Sequence, residues 1–188
     1  MEYRTLGRTG LKVSALGFGC GDVGGIIVRG TPAERERVVA RALEAGVNYF
    51  DTAASYGNGV SERHIGAVLK ALGVRPYVGT KVRVEVGEAD VAGAVARALE
   101  ASLGRLGLDH VDLFQLHNLI LTDDAAPRSN GLPLGRVLGE VLPGLEALRR
   151  QGKTRFVGVT ALGDTAALHA LLDAGVVEIG RASCRERV

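Results

Sequence analysis

The sequence contains no tryptophan, and aromatic residues make up only 4% of it. Stacking platforms for bases are therefore not expected. Its two cysteines, Cys20 and Cys184, are too few for a disulfide framework, so a reducing compartment is the default. Neither charge dominates: 23 Lys and Arg stand against 21 Asp and Glu, a net charge of +2. That balance gives no footprint for nucleic acid or an anionic membrane. No apolar run approaches the roughly 18 residues that span a bilayer. The opening MEYRTLGRTG has no apolar core of a signal peptide. These absences predict a soluble cytoplasmic protein with no membrane or nucleic-acid partner; they leave the oligomeric state open.

What is present is ordinary globular composition, 46% hydrophobic and 23% charged over 188 residues, which excludes general disorder. The 27 glycines are the one large deviation, and they punctuate turns without forming a repeat. Residues 3–16 read as a β-hairpin around Gly7 and Gly10, followed by a strand near 15–19. A helix is predicted over 32–45. Thr31 caps it, Pro32 opens it, Glu34 completes a capping box and Gly46 ends it. Strands near 47–51, 77–82, 110–117 and 154–160 then alternate with helices near 60–72, 88–103, 135–151 and 164–173. Residues 118–133 read as a long polar loop, and a last strand opens at 176. Short apolar strands alternating with amphipathic helices predict a parallel sheet covered by helices. A doubly wound sheet and a (β/α)8 barrel both fit. Five to six βα units are present, and a full barrel needs about 250 residues.

The last residues, EIGRASCRERV (178–188), can be read as a polar helical turn. They also back-translate into a common sequencing-library adapter whose next triplet is a stop. The second reading makes 178–188 a non-native tail on a native segment 1–177.

Two familiar motifs look misplaced. Gly19-Cys20-Gly21-Asp22-Val23-Gly24 matches G-x-G-x-x-G, but a dinucleotide fingerprint needs a helix on those glycines and an acid about 20 residues later. The predicted helix starts only at Thr31, and Asp51 is too distant. Tyr77-x-x-x-Lys81 matches a catalytic pair that belongs on a helix, whereas here it lies in a strand pattern.

In barrels, chemistry gathers at the C-terminal ends of the strands. Those ends here carry Asp51 with Tyr56 just beyond, Thr80-Lys81, Gln115-Leu116-His117-Asn118, and Thr160. Taken singly, each has a plainer role. Asp51 could cap a turn, Tyr56 could pack in a loop, Lys81 could snorkel, and His117 could be a hydrogen-bonded core histidine. Taken together, four ionisable groups on three consecutive strand ends converge on one face.

FDTAASYG (50–57), GTK (79–81), FQLHN (114–118) and RTLGRTGLKVSALGFG (4–19) together resemble the aldo-keto reductase family, in its bacterial, sugar-dehydrogenase-like branch. The resemblance implies an α/β fold: a (β/α)8 TIM barrel with an N-terminal β-hairpin, incomplete here. It implies NAD(P)H-dependent interconversion of aldehydes or ketones, sugars included, with alcohols. NADP(H) is the favoured cofactor, NAD(H) the alternative, and no metal is required. Tyr56 would be the general acid, Lys81 and Asp51 a pair beside it, and His117 the holder of the carbonyl, with Asn118 near the substrate. Gly19, Cys20, Gly21, Asp51 and Thr160 would line the cofactor. The family usually has Ser-Asn after strand five. Thr160-Ala161 keeps a hydroxyl there and loses the amide.

General physics agrees with those roles. An ammonium beside a phenol favours phenolate, and a buried ammonium needs a carboxylate to stay charged. An imidazole donor stabilises charge developing on a carbonyl oxygen. One alternative is a non-catalytic binding module on the same fold. The 188-residue chain by itself is expected to be an inactive fragment, since an unclosed barrel cannot assemble its site.

Overall fold

The computed structural model describes residues 1–21, 24–175, 177 and the backbone of 179–180. The tail expected over 178–188 otherwise lies outside the described residues. β1 (Tyr3–Thr5) and β2 (Lys12–Ser14) form the antiparallel hairpin. β3 (Phe18–Gly19) begins the main sheet, and the one-turn helix α1 (Ile26–Arg29) follows. Next come α2 (Pro32–Glu44), β4 (Tyr49–Asp51), α3 (Val60–Leu72), β5 (Tyr77–Val82), α4 (Val91–Leu106) and β6 (Val111–Leu116). β7 (Leu119–Leu121) and β8 (Gly131–Pro133) precede α5 (Leu134–Arg136), a π-helical stretch over Val137–Val141, and α6 (Leu142–Arg150). β9 (Thr154–Val159), β10 (Leu162–Gly163), α7 (Thr165–Asp173) and β11 (Ile179–Gly180) complete the order.

Six strands form one parallel sheet in the order β11-β9-β6-β5-β4-β3. This is a (β/α) barrel sheet that does not close among the described residues. The helices cover its outer face because their apolar residues recur at helical spacing. Val91, Val95, Leu99, Leu103 and Leu106 of α4 are all buried. α3 and α4 approach closely at Gly66, where a Cβ would lie 2.2 Å from the Leu106 carbonyl oxygen.

The start of α2 is the capping box expected at Thr31 and Glu34, and Gly46 behind it takes φ +87°. The hairpin sits across the N-terminal ends of the strands. Arg8 donates to the carbonyls of Gly175 at 2.8 Å and Val177 at 2.5 Å, and Asn48 bridges Lys12 and Ser14. Between hairpin and sheet lies a cavity of about 490 Å3, lined by Tyr49, Asp51, Leu113 and Gln115 among others.

Four expectations are corrected. The polar loop over 118–133 contains β7 and β8, which join β10 in a separate three-stranded parallel sheet. The apolar run Leu119-Ile120-Leu121 finds partners 12 and 43 positions along the chain, which local pattern does not reveal. α4 starts three residues later than predicted because Asp90, accepting from the Gly93 N–H at 2.9 Å, is its cap. The helix over 135–151 is interrupted by a π stretch. Pro143 has no N–H for the Gly139 carbonyl, and the turn before it widens. Finally, a helical turn does begin soon after the first glycines, at Ile26 behind Gly25 (φ +68°), although the capped helix starts where expected.

Candidate active site

Asp51 ends β4 and Lys81 is the penultimate residue of β5. The register pairs Asp51 with Gly79 and Lys81 with Gln115. Side chains two apart on a strand share a face, so Lys81 stands above Gly79, next to Asp51, on the lumen side. Lys81 is 1% exposed and Asp51 6% exposed. The Lys81 Nζ donates to Asp51 Oδ2 at 2.8 Å, to the Thr52 carbonyl at 2.7 Å and to the Tyr56 hydroxyl at 3.4 Å. An ammonium has three donors, and each meets an acceptor. The same cation lies 4.9 Å from the Tyr56 ring centroid.

Tyr56 is carried by a tight turn in which its N–H donates to Ala53 and its carbonyl accepts from Ser61. Behind it, Gly57, Asn58 and Gly59 take φ values of +56°, +56° and +81°. Three successive left-handed residues turn the chain from the strand end into α3, and two of them are glycine because L side chains resist that region. Gly21 packs against the Tyr56 ring, its Cβ position 3.4 Å from Cε2.

His117 follows β6. Its N–H donates to the Val82 carbonyl at 2.7 Å, and its ring stands edge-on to Tyr56, with centroids 6.0 Å apart and planes at 86°. The structure thus brings Asp51, Tyr56, Lys81 and His117 together at one end of the sheet.

The other singled-out residues divide. Asn118 is fully buried, and its amide is engaged by the Val84 N–H and carbonyl and by Asn130. It fastens the loop after β5 to the loop after β6, and those bonds leave its carboxamide to the scaffold. Gly19 has open space at its Cβ position. Cys20 is fully buried, and burial pushes its thiol pKa far up, with the Asp51 charge adding and the Lys81 charge opposing. It is a packed thiol with no thiolate character. Thr160, the residue after β9, is 5% exposed, and its Oγ has no hydrogen-bond partner among the described residues. Ala161 beside it has φ +43°, strained for a residue with a Cβ. Tyr77 and Lys81 lie on one extended strand, not on a helix.

Gln115 was given no role from the sequence beyond its place at a strand end, and Glu62 and Ser61 escaped it altogether. Gln115 is completely buried in the lumen beside Lys81, and neither amide atom has a partner among the described residues. Its position two before His117 was the available signal, since alternation puts both on one face. Glu62 is also fully buried, accepting from Thr80 at 2.5 Å and Arg105 at 2.6 Å. Ser61 donates to the Cys20 carbonyl at 2.8 Å and meets Thr52 at 2.8 Å. The first turn of α3 therefore grips the residues flanking Asp51 and Lys81 from outside the sheet. Nothing in the local sequence marks those two polar residues as buried. Among the described residues no group of three His, Cys, Asp or Glu could hold a metal ion, and no helix is long and apolar enough to cross a membrane.

A parallel βα sheet with an acid, a phenol, an ammonium and an imidazole at its C-terminal strand ends defines a barrel of the enzyme-bearing type. The chain belongs to the aldo/keto reductase family, whose model matches residues 15–179. It is 39% identical over 168 residues to an L-galactose dehydrogenase of Arabidopsis thaliana, covering 86% of this chain and 49% of that protein. It is 28% identical over 200 residues to a D-threo-aldose 1-dehydrogenase of Pseudomonas sp., covering 88% and 55%. An aldo-keto reductase from Klebsiella pneumoniae, solved in complex with NADPH, superposes with a TM-score of 0.68 at 27% identity, over 92% of this chain and 54% of that one. The chain spans about half the length of the curated relatives it matches.

Proposed function

We propose that this chain carries the acid–base half of an NAD(P)H-dependent oxidoreductase that interconverts carbonyl compounds, sugars in particular, with alcohols. The observation that carries the reading is the buried Lys81, held by Asp51 and Thr52 with its third donor turned to the half-buried Tyr56 hydroxyl. Asp51 is the carboxylate partner of the lysine in the dry interior. The Lys81 ammonium faces the Tyr56 hydroxyl, and that phenol can give its proton to a carbonyl oxygen and take it back in the reverse direction. His117, across the ring contact from Tyr56, supplies a second donor to the same oxygen as negative charge develops there. When bound, the nicotinamide supplies or accepts the hydride.

The residues present fit such a cofactor in part. The unpartnered buried hydroxyl of Thr160 is available to a carboxamide, and Gly19 leaves room beside the strand end. Ala161 adds no polar group there. NADP(H) is preferred on the strength of the NADPH-bound Klebsiella relative, and a sugar substrate on the strength of the two sugar dehydrogenases.

The test is carbonyl-dependent oxidation of NADPH by the chain completed with the C-terminal half of the Arabidopsis relative. Tyr56→Phe should lower turnover by about 10²- to 10⁴-fold without changing the unfolding midpoint. Undiminished turnover sinks the role of Tyr56.

A further inference from the structure

We infer that Ser55 is a positioning residue that sets the tautomer of His117. This rests on the reading of His117 as a donor to the substrate oxygen. The Ser55 Oγ lies 3.5 Å from His117 Nδ1, between residues 62 positions apart in the chain. That is long for a hydrogen bond, as is common in ligand-free sites whose contacts tighten on binding.

Both sides of the contact are fixed by the backbone. Ser55 sits in the turn that carries Tyr56. The Tyr56 N–H donates to Ala53 at 3.1 Å and the Asn58 N–H donates to Ser55 at 3.4 Å. His117 is tied by its N–H to Val82 at 2.7 Å, and its carbonyl accepts from Asn130 at 3.4 Å. One turn thus presents the phenol and, one residue earlier, a hydroxyl aimed at the neighbouring imidazole.

A serine hydroxyl can donate or accept, and a neutral imidazole has one N–H and one bare nitrogen. Nδ1 faces Ser55, so a substrate donor bond from this ring is made by Nε2. To donate, Nε2 must carry the proton, which leaves Nδ1 bare. Ser55 O–H then donates to Nδ1 and locks the ring in the donor tautomer. This is the part an orienting group plays for histidines at metal and acyl-transfer sites. Neither Ala54 nor Ala53 in the same turn could play it.

The experiment is long-range proton–nitrogen NMR of the 15N-histidine-labelled chain at about pH 8.5, above the ordinary histidine range. The His117 signals among the four histidines are assigned by their loss in His117→Asn. The wild type should show Nε2 protonated and Nδ1 bare. Ser55→Ala should lower the ratio of the Nε2–H to the Nδ1–H form by about five- to tenfold, the effect of one ordinary hydrogen bond. Ser55→Thr, which keeps the hydroxyl, should restore it. A wild-type ring protonated at Nδ1 overturns the inference without any variant, as does an unchanged ratio in Ser55→Ala. Because the readout is the free protein's ring, it can fail while the Tyr56 reading stands, and the Tyr56→Phe assay can fail while this result stands.

Discussion

Two carboxylates are buried in the same sheet, one toward each end. Asp51, where β4 leaves the barrel, bonds to Lys81, whose side chain is itself wholly inaccessible. Asp112, near the start of β6, accepts from Arg75 and Arg155, each at 2.9 Å, and from the Val78 N–H at 2.9 Å. The two arginines are 37% and 44% exposed, so water shares their charge. At the lower end every partner of Asp112 ties one strand to its neighbour: Arg75 and Val78 belong to the approach and start of β5, Arg155 to β9. At the upper end one donor of the cation is directed outward, to the half-buried phenol of Tyr56. A charge held by solvent-exposed cations fastens the scaffold, whereas a charge carried into the dry interior and passed to a third group can act on a substrate.

Truncating Asp51 should give the largest effect. Asp51→Ala removes the carboxylate partner of the buried Lys81 and should lower the unfolding free energy by about 3 to 5 kcal/mol. Urea unfolding checks it, and turnover should be lost with it. Asp112→Ala should cost less, about 1 to 3 kcal/mol, because the Val78 N–H is stranded while the two arginines return to water. Turnover of the folded fraction should be kept.

The smallest effect lies away from both clusters. Hydrogen bonds from the Thr31 backbone and hydroxyl hold the exposed Glu34 carboxyl below its ordinary pKa, and Asp90 and Glu146 are lowered by the Gly93 N–H and by Arg149. A pKa lowered by folding contributes stability that is present above the unfolded value and lost as pH falls through the folded one. The urea midpoint should therefore fall as the solution is taken from about pH 6 to about pH 3. Thr31→Ala should flatten the part due to Glu34.

The same contrast explains what could be read from the chain. The α2 cap, the glycine stops and the alternation of strands and helices are local, and local chemistry announces them. The upper cluster was legible because Asp51, Lys81 and His117 sit at or just beyond strand ends, where alternation and spacing fix the face, and Tyr56 follows in the turn after Asp51 within a recognisable motif. Asp112 was not, because its partners lie at 75, 78 and 155 and nothing nearby marks the aspartate as buried. Glu62 and Ser61 were missed for the same reason, as two polar residues in a first helical turn read as solvent-facing. The β7-β8-β10 sheet was hidden because two of its three strands are only three residues and one only two. At that length pairing decides what propensity does not.

The most direct test of the contrast is to measure carbonyl-dependent turnover and the urea midpoint together on Tyr56→Phe and Asp112→Ala of the completed chain. The account predicts opposite patterns: Tyr56→Phe loses turnover and keeps its midpoint, while Asp112→Ala loses midpoint and keeps turnover. If both variants lose stability alone, or both lose turnover in proportion to stability, the upper cluster is scaffold like the lower one and the assignment of chemistry to it is wrong.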